Sequence, residues 1–256
     1  MTGTGPPRQT GAMKTALVTG STRGIGLAVA RDLARDHHVV LHGRDEEALA
    51  AIAAQLPSAS VWAADLGAGV VGTPGTSGPG TGTPGTRTPG VVVPELDRLD
   101  VLVHAAGVIG GDTIETTTLD EWRRVFEVNV FAVAEVTRQL LPALRAAEGT
   151  VIAINSGSGF TAGAGASTYA ASKFALRAVT DALREEERPH GVRVSSVHPG
   201  RVDTDMQHEL VEKEGGTYDP SLYLEAQSVA DAVRLVVDLP HGATAEVVSV
   251  RPTRRR

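Results

Sequence analysis

Lys14-Thr15-Ala16-Leu17-Val18-Thr19-Gly20-Ser21-Thr22-Arg23-Gly24-Ile25-Gly26 is the stretch that decides the fold of this chain. Its first six residues form a short, mostly apolar run that stops at a glycine, the pattern of a buried strand. Beyond the turn, apolar residues fall at Ile25, Val29, Leu33 and Ala34, which is helical spacing. Gly20, Gly24 and Gly26 permit a tight strand-to-helix turn and a close backbone approach to an anion. The helix that follows points its free N–H groups and the positive end of its dipole at that anion. A glycine triplet alone is a weak signal. Between a strand and a helix, at the head of an alternating chain, it predicts a pyrophosphate-binding turn.

The alternation continues outward from this unit. Strand patterns are predicted at 38–42, 60–64, 100–104, 150–155, 193–197 and 246–250. Helical patterns are predicted at 24–36, 46–56, 119–147, 167–187 and 229–238, with Pro142 bending the long third helix near its end. Strands that are continuously apolar and alternate with helices make a parallel sheet covered on both faces. The expected fold class is therefore α/β. One domain over 13–253 holds a doubly wound sheet of about seven strands.

Composition narrows the function. The 256 residues include 21% charged residues, an ordinary globular level, and a net charge of −6 that argues against a nucleic-acid partner. The basic tail Arg254-Arg255-Arg256 reads as a solvated terminus. There is no cysteine, so disulfides, thiol nucleophiles and Cys-ligated metals are excluded, and no metal site is expected. No apolar run reaches the roughly 20 residues of a membrane helix. Residues 1–12 are rich in Gly, Pro and Thr and lack the apolar core of a secretory signal; a disordered extension and a cytoplasmic location are the expectation. From Gly72 to Gly90 every residue is Gly, Pro, Thr or Ser except Arg87. A crossover helix belongs here, but Gly and Pro cost about 1 and 3 kcal/mol each relative to Ala in a helix. The wider stretch 67–94 is read as a flexible insertion, tolerated because long loops close at low entropic cost.

The residues also point to a cofactor. After the second strand stands His42-Gly43-Arg44. A carboxylate there would hold a ribose 2′-hydroxyl. Arg44 instead offers a bidentate contact to a 2′-phosphate, and Arg23 in the glycine turn can approach the same group. Two arginines without a carboxylate predict NADP(H). Tyr169 and Lys173 lie four apart on one helix face, and Ser156 follows the fifth strand at the sheet edge where ligands bind. A tyrosine titrates near pH 10, too high for a base at neutral pH. A nearby ammonium lowers that value, and a serine hydroxyl can hold the substrate oxygen while the tyrosine exchanges a proton with it.

Together these motifs resemble the short-chain dehydrogenase/reductases, from Met13 to about Thr253. Within the family the likeness is to the NADP-preferring subgroup and to 3-oxoacyl-carrier-protein reductase-like members. The turn from Thr19 to Gly26 matches the family's Thr-Gly-x-x-x-Gly-x-Gly, with Gly20, Ser21, Arg23, Gly24, Ile25 and Gly26 expected at the cofactor. Asp65-Leu66 matches the Asp that holds the adenine amino group. His104-Ala105-Ala106-Gly107 matches an Asn-Asn-Ala-Gly motif, with His104 and Ala105 departing from the asparagines.

Asn129 matches the asparagine that bends the long helix and binds a water against the lysine. Pro199-Gly200, Val202 and Thr204 match the segment that meets the nicotinamide. The resemblance implies a Rossmann fold. It also implies hydride transfer between NADP(H) and a carbonyl or alcohol, with Ser156, Tyr169, Lys173 and Asn129 as the catalytic set. Tyr169 and Lys173 would also touch the cofactor, and the chain would assemble as a homodimer or homotetramer.

The motifs do not set reaction direction. The competing class is a non-catalytic NADP(H)-binding sensor or scaffold, whose mark would be loss of the serine, tyrosine or lysine; all three are present. The polar segment 205–224 and the glycines at 157, 159, 163 and 165 predict a small substrate or an open, roomy site. Deleting 72–90 is expected to leave soluble protein whose NADPH affinity, read by fluorescence titration, stays within roughly twofold, since loop shortening changes closure entropy only slightly.

Overall fold

The computed structural model describes residues 13–68, 91–110 and 113–253. The N-terminal extension, the stretch from Gly72 to Gly90 and the arginine tail lie outside the described residues. Seven strands form one parallel sheet: β1 (Lys14–Thr19), β2 (His37–Gly43), β3 (Ala59–Ala63), β4 (Val101–His104), β5 (Thr150–Ile154), β6 (Arg193–Pro199) and β7 (Val247–Val250). Their order is β3-β2-β1-β4-β5-β6-β7. The order in which successive strands are added reverses between β1 and β4, so the crevice at their C-terminal ends is the ligand position of such a fold.

The central strands bury both faces because each alternates between two cores, whereas the edge strands β3 and β7 are largely exposed. Ala16 and Val18 of β1, with Val101 and Val103 of β4, join one cluster; Leu17 and Leu102 join the other. Over the first face lie α1 (Gly24–Leu33), α2 (Glu46–Ala53) and α7 (Ala226–Val237), through Val29, Leu33, Leu49, Val229 and Val233. Over the second lies α4 (Ala132–Ala147), through Val136, Leu140 and Leu144, with α5 (Ser167–Glu187) beside it. No helix among the described residues is long and apolar enough to cross a membrane.

The connection from β3 to β4 departs from ordinary winding. Its described residues contain no helix. An extended segment covers the sheet instead. Val91, Val93 and Leu96 pack on the second core. Gln139 of α4 donates to the Val91 carbonyl at 2.7 Å, and the Trp62 indole donates to the Val92 carbonyl at 3.0 Å.

The long helix expected at 119–147 is one helical run with a change of pitch. It comprises α3 (Leu119–Phe126), a π-turn (Glu127–Phe131) and α4. Asn129 sits in the π-turn, and α4 continues as helix through Pro142. A helix the sequence reading left as a polar segment, α6 (Asp205–Lys213), follows β6.

Two histidines are buried at strand ends. The His104 Nε2 lies 2.8 Å from the Thr137 hydroxyl, and the His42 ring packs on Trp62 with centroids 4.4 Å apart. Burial holds His104 down to about 3, with His42 adding to the shift, and holds His42 down to about 4. In the unfolded chain both return to about 6.5, so between that pH and the native values the unfolded state binds more protons. Stability therefore falls as pH drops below 6.5. The loss in unfolding free energy between pH 7 and pH 5, read by urea denaturation, is expected to be smaller by about 2 kcal/mol in His104→Asn than in the parent protein.

Candidate active site

Two clefts meet at the C-terminal edge of the sheet. The first, about 260 Å³, runs over the glycine turn. Gly20 has a φ of +67°, and a Cβ there would stand 2.7 Å from the Ala106 Cα; a Cβ on Gly26 would stand 2.2 Å from the Gly20 carbonyl oxygen. Only glycine fits either place. The Thr19 hydroxyl accepts from the Ala105 and Ala106 N–H groups, each at 3.1 Å, which pins the loop after β4 against the turn. The Gly20 N–H donates to His42 Nδ1 at 3.1 Å, tying the turn to the end of β2.

Most of the predicted cofactor residues line this groove. Arg23, Gly24, Ile25 and Gly26 form one wall, Arg44, Asp65 and Leu66 another, and Ala105, Ala106, Gly107 and Thr204 the floor and far side. Asp65 also accepts from the Gly67 N–H at 2.8 Å, which folds the end of β3 into the groove. Ser21 does not line it. Its side chain is fully buried, donating to the His42 carbonyl at 3.1 Å and accepting from the His42 N–H at 2.9 Å. Arg44 is exposed at the rim. Arg23 forms an ion pair of 2.6 Å with Asp205, at the start of α6. Asp205 and Met206 of α6 complete the groove, and sequence reasoning passed them over. The available signal was Thr204 at the N-cap position followed by an acidic first-turn residue.

The second cleft, about 610 Å³, adjoins the first through Ile25 and Thr204. Ser156, Tyr169, Pro199, Gly200 and Val202 line it, with Gln207 and Leu210 of α6 closing the outer side. The volume and the small residues around Ser158 and Ala164 agree with the roomy site expected. Tyr169 is half-buried. Burial raises its phenol above the ordinary tyrosine value, and a hydrogen bond with Ser156 pulls it partly back. This differs from the lowering by Lys173 that the sequence implied: desolvation raises the phenol, and the group that partly offsets it is Ser156, not Lys173.

Lys173 and Asn129 stand behind the cleft. The Lys173 Nζ donates to the Ile154 carbonyl at 3.0 Å and sits 5.6 Å from the centre of the Tyr169 ring. Burial lowers this ammonium to about 8. The Asn129 side chain is fully engaged. Its oxygen accepts from the Val108 N–H at 2.9 Å, and its amide donates to the Val108 carbonyl at 2.9 Å and to the Ser172 hydroxyl at 3.0 Å. Among the described residues there is no cluster of three or more His, Cys, Asp or Glu that could hold a metal ion.

Comparison with known proteins gives the family and the fold. Residues 14–69 and 87–215 match the short chain dehydrogenase family, and the unmatched gap falls within the Gly/Pro/Thr-rich stretch. An uncharacterized oxidoreductase of Staphylococcus epidermidis is 31% identical over 242 residues, covering 93% of this chain and 97% of the relative. A metagenomic short-chain oxidoreductase solved in complex with NADP is 31% identical, with a TM-score of 0.69, covering 95% of this chain and 99% of that one. A structure from Beutenbergia cavernae, titled as an NAD(P)-dependent gluconate 5-dehydrogenase with NADP bound at low occupancy, is 29% identical. Its TM-score is 0.75, and the match covers 94% of this chain and 96% of that one. With the fold, the glycine turn and the Ser156–Tyr169–Lys173 cluster in place, the chain belongs to the short chain dehydrogenase family of oxidoreductases.

Proposed function

We propose that this chain reduces a ketone or aldehyde with NADPH, or oxidises the corresponding alcohol, with Tyr169 as the general acid/base. The observation that carries the reading is the placement of Ser156 and Tyr169 together in the lining of the larger cleft, with the Lys173 Nζ 5.6 Å from the centre of the Tyr169 ring, beside the glycine-lined groove. The residues of that groove fit a dinucleotide. Gly20 and Gly26 let the turn close tightly on its own backbone at the groove where a pyrophosphate would lie, Asp65 suits an adenine amino group, and Arg23 and Arg44 offer cations where a 2′-phosphate would lie. No carboxylate ends β2 to favour a free 2′-hydroxyl. The NADP named in the two solved relatives supports the same choice. When bound, NADPH supplies the hydride.

The protein's own groups handle the proton. Because burial raises the Tyr169 phenol, it is protonated at neutral pH and can donate to a carbonyl oxygen as charge develops there. Ser156 shares that oxygen by hydrogen bonding and steadies it. The tyrosinate left behind faces the Lys173 ammonium, which is charged below about pH 8. Asn129, the residue proposed for a water-mediated proton relay, is held in the π-turn by its side-chain bonds to Val108 and Ser172, which leave its oxygen one further acceptor site. Exposed Phe131 and Phe174, on the outer side of the π-turn and α5, fit the homo-oligomer we propose with this activity.

Two measurements test this reading. A panel led by ethyl acetoacetate, cyclohexanone and benzaldehyde, followed by NADPH absorbance, is expected to reveal turnover that Tyr169→Phe lowers at least ~100-fold while NADPH still binds. Retention of a tenth of parental turnover would remove Tyr169 from its role. Arg44→Ala is expected to weaken NADPH binding about tenfold and NADH binding little, because a charge-assisted contact is worth roughly 1.5–3 kcal/mol. Equal losses for the two cofactors would overturn the NADP assignment.

A further inference from the structure

Ser156 begins a stretch in which Gly157, Gly159, Gly163 and Gly165 give the backbone more freedom than other residues would. Yet Ser156 is held fully extended, with φ −163° and ψ 163°. Its peptide groups are tied on both sides. The Ser156 N–H donates to the Asn155 side chain at 2.9 Å, and that side chain donates to the Lys173 carbonyl at 3.2 Å, which fixes the serine to α5. The Ser156 carbonyl lies 2.8 Å from His198 Nδ1, on β6 and 42 residues away, which fixes it to the sheet.

The hydrogen bonds determine which ring nitrogen carries the proton. A carbonyl oxygen only accepts, so His198 Nδ1 bears the hydrogen. In the neutral ring Nε2 then accepts, and the Ser196 hydroxyl 2.8 Å away donates to it. His198 is completely buried. Its ring also stacks on Phe160, centroids 4.2 Å apart, at the far end of the short turn that follows Ser156. Arg177, Arg251 and Lys173 surround the ring, and burial together with these cations keeps it neutral, lowering its pKa. Directly after His198, Pro199 and Gly200 line the larger cleft. One buried side chain thus joins the serine to the cleft wall opposite Tyr169.

We infer that His198 is a positioning residue for the active-site hydroxyl: its Nδ1–H holds the Ser156 carbonyl and so sets where Ser156 Oγ meets Tyr169 and the substrate oxygen. This rests on the reading of Ser156 given under Proposed function. The Asn155 N–H donates to the Val197 carbonyl of β6 at 2.7 Å and the Gly159 N–H reaches the Ser156 carbonyl at 3.0 Å, but His198 is the side chain that ties the Ser156 carbonyl itself to β6. A hydrogen bond to β6 references the hydroxyl to the rigid sheet.

Two substitutions separate the hydrogen bond from the packing. His198→Phe keeps the ring and its stack on Phe160 but removes the donor; His198→Asn removes the ring but supplies an amide N–H. Turnover is read on whichever carbonyl of the panel reacts fastest, NADPH affinity by fluorescence titration, and the Tyr169–Ser156 contact by the pH titration of the Tyr169 ζ-carbon NMR resonance. His198→Phe is expected to lower kcat roughly tenfold or more, given that a misplacement of about 1 Å can cost ~100-fold. NADPH affinity should change less than about twofold, and the Tyr169 titration should move upward as Ser156 withdraws. His198→Asn is expected to keep kcat within about threefold.

Equal kcat values in the two variants, or Phe better than Asn, would show that packing and not the donor matters, and would overturn the inference. Should His198→Phe fail to fold, the Asn variant decides alone: a large kcat loss in protein that still binds NADPH overturns the inference, and retained kcat supports it. Ser156→Ala distinguishes the two layers. An active Ser156→Ala protein overturns the reading of Ser156 itself, whereas an inactive one beside a fully active His198→Phe overturns only the role of His198.

Discussion

The ends of β1 and β4 lie side by side only because Gly20 has no side chain. The Ala106 Cα occupies the place a Cβ would take, and the Gly20 carbonyl in turn fills the space beside Gly26. Around this contact the Thr19 hydroxyl gathers two N–H groups of the loop after β4, and His42 gathers the Gly20 N–H. Three strand ends are thus brought into register at the point where the sheet changes winding direction. The groove over the glycine turn and the start of α1 follow from that approach. A bulkier residue would push the β4 loop away and open the floor of the groove, so the constraint is local in sequence and global in consequence.

The active-site residues reach the same edge by different routes. Ser156 comes from the end of β5, Tyr169 and Lys173 from the first turns of α5, and Asn129 from a π-turn in the long helical run. Each is held by a partner distant in sequence: Ser156 by His198, Lys173 by the Ile154 carbonyl, Asn129 by Val108 and Ser172. These bonds replace the entropy the glycine-rich loops would otherwise retain. They also create a setting in which the Tyr169 phenol is raised and the Lys173 ammonium lowered to about 8, so that the lysine titrates below the tyrosine.

Periodicity revealed much of the fold, because strands buried on both faces are apolar without interruption and helices repeat at 3.6 residues. The seven strands and five of the helical segments are visible in this way. The helix α6 was not. Its sequence, Asp-Met-Gln-His-Glu-Leu-Val-Glu-Lys, is largely polar, since it covers an open cleft and not the main core, and only Gln207 and Val211 are buried. The connection before β4 was half legible. Its composition excluded a helix, but nothing in it announced that Val91, Val93 and Leu96 would cover the sheet as an extended segment. That substitution depends on Trp62 and Gln139, which supply hydrogen bonds from elsewhere in the chain.

By itself the sequence determined the α/β architecture and the glycine turn, and it pointed to Ser156, Tyr169 and Lys173 and to Arg23 and Arg44 as site candidates. Each is a local pattern: a period, a spacing of four along a helix, or a residue type at a strand end. Tertiary structure decided what those groups meet. It turned the Ser21 hydroxyl into the sheet and paired Arg23 with Asp205 across the groove. It also closed the Asn129 side chain on Val108, and set the Tyr169 phenol upward through burial. The partners lie tens to nearly two hundred residues apart, and desolvation is a property of the packed surroundings, so neither is written in any single stretch of the chain.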